Sequence, residues 1–370
     1  MRKEKIKGSV NLYKSTGQIH DVNLNLKTAE KAIKFLLSLT AVILIFGFSL
    51  GTIVSANLAK MSAVMNAGSR LPIHGFTAAQ ETADVFVFYN QKVRIDFTDA
   101  NTTGTVKISA VSEFDKKIKV TIKKNIKNET VYTYDLKNDT TAELYPLQMG
   151  SGEYIIKVWF QIEDNQYGLG FICKYTVALS DEFAPFLHPN QYVNYNKNSK
   201  IAQTAAKLTK NCASDIEKLE AIYEFVVKNL SYDVQKEEEA RKGNMRGYLP
   251  VIDSILEEGK GICFDYAAVL AAMLRSQNIP AKLVIGQISP VSSSSYAYAY
   301  SSSSSSKNTL HAWNEVYIRG QDEPFVINTM KFDGKDFERL DPTFDSNSKS
   351  DKTMLEYIGN SSNYTKLHEY

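Results

Sequence analysis

Cys263 stands in the segment EEGKGICFDYAAVLAAMLRSQNIPAKLVIGQI. Gly259 and Gly261 interrupt the helix before it, and Tyr266, Val269, Leu270, Met273 and Leu274 recur at i, i+3, i+4, i+7 and i+8. That spacing predicts a buried helix from about Cys263 to Gln277, ended by Asn278 and Pro280. Cys263 then lies at the helix start, where unpaired N–H groups and the positive dipole end favour a thiolate. A lone cysteine is commonly an inert core residue; the glycine-flanked helix start sets this one apart. A thiolate nucleophile needs a base that can later act as an acid, and the base needs an orienting partner. Of the five histidines, only His311 lies in a patterned element, the strand LHAWNEVYI. Period two sets His311, Trp313, Glu315 and Tyr317 on one face and Ala312, Asn314, Val316 and Ile318 on the other. The strand PFVIN follows, and then RLDPTFD, where Pro342 holds Asp341 extended near a strand end. Asp341 alone reads as a turn residue. The order helix-Cys, strand-His, strand-Asp reads as a thiol triad.

The elements around these residues follow from the same patterns. Ile216, Leu219, Tyr223, Val226, Val227 and Leu230 recur at helical steps, and Ser214 with Glu217 has the S-x-x-E form of a helix start. A second helix is expected over Val251 to Glu258, and a strand over Lys282 to Ile288.

The blocks GKGICFDYAAVLAAMLRSQNIPAKLVIG, HAWNEVYI and LDPTF, with IYEFVVKNLSYD upstream, resemble the bacterial branch of the transglutaminase-like superfamily. The resemblance runs from about Ile201 to Phe344. It implies an α+β transglutaminase/papain-like fold, with a Cys-bearing helix on an antiparallel sheet that carries His and Asp. By position it makes Cys263 the nucleophile, His311 the base and acid, and Asp341 the orienter. It implies attack on an amide or peptide carbonyl through a thioester, with hydrolysis or acyl transfer on a protein, peptide or cell-wall substrate. The alternative is a catalytically inactive surface-binding module on the same fold. The chain departs by an insertion, SPVSSSSYAYAYSSSSSS at residues 289–306, in which 11 of 18 residues are Ser.

The chain has 370 residues and a net charge of +2. That balance argues against nucleic acid as a partner. The charge is uneven: residues 1–34 carry a net +5 and the rest a net −3. Between them Phe35–Ala59 holds no charge over 25 residues, enough for a membrane span. The basic side should stay in the cytoplasm, so the bulk of the chain should face outside. The small residues at Val54-Ser55-Ala56 keep secretion after signal cleavage as an alternative to a retained anchor.

Residues 60–80 read as a spacer. From 81 to 180, eight short alternating runs separated by Asn/Gly/Asp turns predict an immunoglobulin-like β-sandwich, read as a spacer or binding module. Residues 181–200 are a Pro/Asn-rich connector, 201–345 the transglutaminase-like domain and 346–370 a tail; the composition change at the connector predicts two folding units. No metal or cofactor is expected, since no ligand spacing or phosphate loop occurs. Cys173 reads as core; outside the cell it could pair with Cys212.

Overall fold

The computed structural model describes residues 9–13, 19–23, 86–113, 116–290, 309–320, 323–327, 330–348 and 352–370. The expected span at Phe35–Ala59, the spacer at 60–80 and residues 291–306 of the Ser-rich insertion lie outside the described residues. Among the described residues no helix is long and apolar enough to cross a membrane.

A hairpin of β1 (Ser9–Tyr13) and β2 (Ile19–Asn23) comes first. Eight strands follow, each at one of the alternating runs: β3 (Val87–Tyr89), β4 (Val93–Asp96), β5 (Thr105–Ala110), β6 (Ile118–Lys124), β7 (Tyr132–Leu136), β8 (Asp139–Pro146), β9 (Gly152–Glu163) and β10 (Gln166–Val177). They form two antiparallel sheets, in the orders β3-β4-β5-β8 and β2-β1-β10-β9-β6-β7. The first hairpin joins the larger sheet through one register pair, Tyr13 opposite Tyr167. Alternate residues such as Ile95, Val106, Ile108, Val120, Ile122, Ile156 and Val158 are buried. Phe97, just after β4, meets Tyr175 of β10 with ring centroids 4.4 Å apart, which joins the two sheets. Gly104 has φ +64, and a Cβ there would lie 2.5 Å from Pro185. Only glycine lets the connector approach the sandwich this closely.

The second half begins with helices Lys200–Leu208, Asp215–Asn229, Val234–Arg241 and Ile252–Glu258. The Asp215–Asn229 helix starts as its S-x-x-E motif predicts. Ser214 Oγ accepts from Glu217 N at 3.2 Å and Glu217 Oε2 accepts from Ala213 N at 2.8 Å. A two-residue parallel pair, β11 (Ser231–Tyr232) with β12 (Lys260–Gly261), leads into the Cys263–Ser276 helix. The remaining strands are β13 (Ala281–Ile288), β14 (Thr309–Val316), β15 (Phe325–Ile327), β16 (Met330–Phe332), β17 (Glu338–Leu340) and β18 (Tyr364–Glu369). The main sheet is antiparallel, ordered β17-β14-β13-β18. The Cys263–Ser276 helix packs on it, and Asn314 Nδ2 of β14 donates to Ala267 O of the helix at 2.9 Å and to Lys282 O of β13 at 3.1 Å.

The segment expected as a tail is structured. Helices Pro342–Ser348 and Lys352–Gly359 lead into β18, which pairs along β13. Its sequence YTKLHE alternates weakly because β18 is an edge strand with three exposed residues.

The connector and both halves share packed surface. Arg275, buried at the end of the Cys263–Ser276 helix, donates to Ala281 O at 2.8 Å, His188 O at 2.7 Å and Tyr370 O at 2.6 Å. The ring of Tyr370 lies 4.0 Å from that of Tyr192 and 5.6 Å from that of Tyr132 in the sandwich.

Candidate active site

Cys263 is the first residue of its helix, and the preceding Ile262 is extended, with ψ 175. The approach is tight: a Cβ on Gly261 would lie 2.5 Å from Asp265 Cβ. Pairing of Gly261 with Tyr232 fixes the incoming strand. Cys263 is half-buried and opens onto a cavity of about 610 Å³ that is also lined by His311, Tyr192, Tyr232, Tyr248 and Leu310.

His311 is buried in β14 and stacked on Phe344, with centroids 4.6 Å apart and planes 19° apart. Its Nε2 meets Asp341 Oδ2 at 2.7 Å, which leaves Nδ1 for another partner. Burial pulls the imidazole pKa down. The charge and hydrogen bond of Asp341 outweigh it, and an interaction with Cys263 adds to them, so the pKa rises to about 10. The imidazolium is therefore the favoured form at neutral pH. Asp341 follows β17 and is buried, with Phe344 N donating to its Oδ1 at 3.1 Å and Tyr364 OH to its Oδ2 at 2.9 Å. The three residues singled out by sequence thus converge: His311 meets Asp341 directly, and His311 and Cys263 line one cavity.

Four polar residues of the site escape sequence reading. Tyr364, on β18, is one. The others form a cluster around the buried carboxylate of Asp265, two residues after the nucleophile candidate. Its Oδ2 accepts from Ile262 N at 2.9 Å and pairs with Lys236 Nζ at 2.6 Å, while Tyr248 OH donates to Oδ1 at 2.6 Å. Lys236 Nζ also donates to Tyr248 OH at 2.6 Å and lies 4.4 Å from the centre of its ring. Burial and the Asp265 carboxylate push the Tyr248 phenol far above its usual value, so it stays a donor. Asp265 thereby ties the Val234–Arg241 helix and the Tyr248 loop to the start of the Cys263 helix. An acid at the third helical position is a capping signal that could have found Asp265. Asp265→Asn should cost about 2 kcal/mol of stability in urea unfolding, because Lys236 loses its counter-charge and one donor its acceptor. Unchanged stability would show the cluster to be dispensable.

Cys173 is buried, and loss of solvent pushes its thiol up to about 12, so it is inert. All three cysteines are free thiols, so the Cys173–Cys212 pairing entertained from sequence does not form. Among the described residues no group of three or more His, Cys, Asp or Glu is placed to hold a metal ion.

Residues 202–342 match the family model of the transglutaminase-like superfamily. That match covers all three candidate residues and supports a transglutaminase-like α+β fold and a thiol-enzyme type of family. An uncharacterized protein of Bacillus subtilis (strain 168), YebA, is 25% identical over 187 residues, which is 50% of this chain and 25% of that protein. The chain therefore spans about a quarter of the length of the curated relative it matches. Among solved structures, a proposed cysteine protease from Cytophaga hutchinsonii is similar at 15% identity and a TM-score of 0.34, over 78% of this chain and 74% of that one. Red sea bream transglutaminase is similar at 13% identity and a TM-score of 0.26, over 67% and 50%.

Proposed function

We propose that this protein is an extracytoplasmic thiol enzyme acting on amide or peptide carbonyls of protein, peptide or cell-wall substrates. The carrying observation is the shared cavity of Cys263 and His311, with Asp341 bonded behind the imidazole. In the proposed cycle the His311 imidazolium already holds the proton, and the Cys263 sulfur attacks the carbonyl carbon as the thiolate. The N–H of Cys263 at the helix start serves the developing oxyanion, while the N–H groups of Asp265 and Tyr266 are taken by Ile262 O. His311 returns the proton to the leaving ammonia or amine, and a thioester remains. Water or an amine then attacks it with His311 as base, giving hydrolysis or acyl transfer. Asp341, held by Phe344 N and Tyr364 OH, fixes the ring and stabilises the imidazolium.

The proposed location is outside the membrane, anchored by Phe35–Ala59 or released by cleavage near Ala56. Both forms give up the pairing of β1 with β10, since residues 9–23 lie across the membrane in the one and are removed in the other. The strand orders β4-β5-β8 and β10-β9-β6-β7 support the immunoglobulin-like reading of residues 81–180. The competing reading, an inactive binding module, gives no reason for a buried His–Asp pair beside a thiol.

Iodoacetamide separates the two. Wild-type Cys263 should alkylate rapidly at neutral pH as half of a thiolate–imidazolium pair. His311→Ala should remove that fast reaction, leaving the slow alkylation of an unassisted thiol. Equal profiles for the two proteins would sink the catalytic reading and leave the binding module.

A further inference from the structure

Beside the cavity at Cys263 lies a second one of about 680 Å³, lined by Ala142, Glu143, Asn194, Tyr195, Val251 and Asp253 among others. The two adjoin at Asp135, Gln191 and Leu249, which line both, and Gln191 Nε2 donates to Asp135 O at this junction of the groove. It starts at Cys263 and His311, passes β7, and ends between β8 and the loop before the Ile252–Glu258 helix. β7 is the outer strand of its sheet. The sandwich is therefore not a spacer held away from the thiol. Lys119, Thr133 and Asp135 stand in the wall of the same cavity as Cys263.

The charges along this groove are matched within it. Lys119 pairs with Asp135 at 2.8 Å, Lys137 with Glu143 at 3.4 Å, and Arg241 with Glu237 at 2.6 Å. Asp253 accepts from the backbone N–H groups of Lys200 and Ile201 at 3.0 and 2.9 Å. A phosphate-rich polymer would find no excess of positive charge here. Apolar side chains instead mark its length: Leu310 is 64% exposed beside the thiol, Leu249 is 39% exposed at the junction, and Val251 is 62% exposed in the far cavity. Spaced aliphatic contacts beside an edge strand suit an extended chain with side chains at regular intervals.

We propose that the groove binds an extended polypeptide across both halves of the protein, with its reactive carbonyl at Cys263 and its flanking residues along β7. This rests on reading Cys263 as the reactive thiol. It makes the substrate a peptide segment longer than the site of chemistry, and makes the sandwich a part of substrate selection.

Protection of Cys263 from iodoacetamide in the full chain tests it. One probe is an N-acetylglutamine amide. The other is a glutamine-centred peptide of about 14 residues, roughly 46 Å long when extended. The long peptide should slow alkylation at least about tenfold where the single residue does not. Ala142→Trp and Asn194→Trp, both exposed positions in the far cavity, should remove that protection and leave the rate without peptide unchanged. Equal protection by both probes, no protection by the long peptide, or protection that survives both tryptophans would each overturn the proposal. Protection by a soluble cell-wall glycan in place of the peptide would overturn it in favour of that polymer. The rate without peptide reports on the thiol and the protection reports on the groove, so the two readings fail separately.

Discussion

Cys263→Ala should abolish turnover and leave the unfolding midpoint nearly unchanged. The substitution removes one sulfur from a half-buried position facing a cavity, so the packing loss is about 1 kcal/mol. The helix keeps its Asp265–Ile262 capping bond and its buried face. Asp341→Asn makes the contrast. An amide in place of the carboxylate cannot accept from His311, Tyr364 OH and Phe344 N together, so the imidazole loses its anchor. Activity should fall by at least about 10²-fold, and stability should fall as well, because Asp341 is buried among three donors. Activity assayed beside thermal unfolding separates the two variants. Residual turnover in Cys263→Ala would remove the thiol from the mechanism.

Arg275→Ala should damage the fold strongly, at about 3–5 kcal/mol. Burial pulls the Arg275 pKa down only to about 10, so the side chain is charged at neutral pH. Each of its bonds reaches a different part of the chain: the start of β13, the connector, and Tyr370. Removing it takes a donor from each of three carbonyls, of which Tyr370 O keeps the N–H of Leu283 at 2.9 Å, and opens a hole beside the Tyr192–Tyr370 contact. Arg275→Lys should recover part of the loss, since an ammonium keeps the charge but reaches fewer acceptors. Urea unfolding measures both. A loss under 1 kcal/mol for the alanine variant would mean that water replaces the guanidinium.

The three candidate residues were legible because local pattern places each of them. Gly261 and the stripe from Tyr266 to Leu274 mark a helix start at Cys263; alternation places His311 on a strand; Pro342 places Asp341 at a strand end. The strands between Val87 and Val177 were legible for the same reason, through their alternately buried residues. The helix Val234–Arg241 was not, because VQKEEEAR has no buried residue and therefore no stripe. It is held from outside by Asp265 and Tyr248 through Lys236. Tyr364 was hidden because its role depends on β18 pairing with β13, a contact across more than 70 positions that no local period encodes. The shared cavity wall at Lys119, Thr133 and Asp135 is likewise a product of tertiary packing, invisible to a reading that takes the segments one at a time.

The position of β18 carries a consequence for synthesis. The strand that flanks β13, the hydroxyl that holds Asp341, and the carbonyl that receives Arg275 all come from residues 364–370. A ribosome making this chain releases Cys263 long before any of them. Until those last residues emerge and dock, Asp341 lacks the Tyr364 bond and the sheet beneath the Cys263 helix is one strand short. The sandwich, built from earlier residues, can assemble first. The growing chain therefore carries Cys263 in an unfinished site until that strand pairs. The surroundings of Cys263 and His311 are complete only once residues 364–370 have docked, a delay written into the strand order itself.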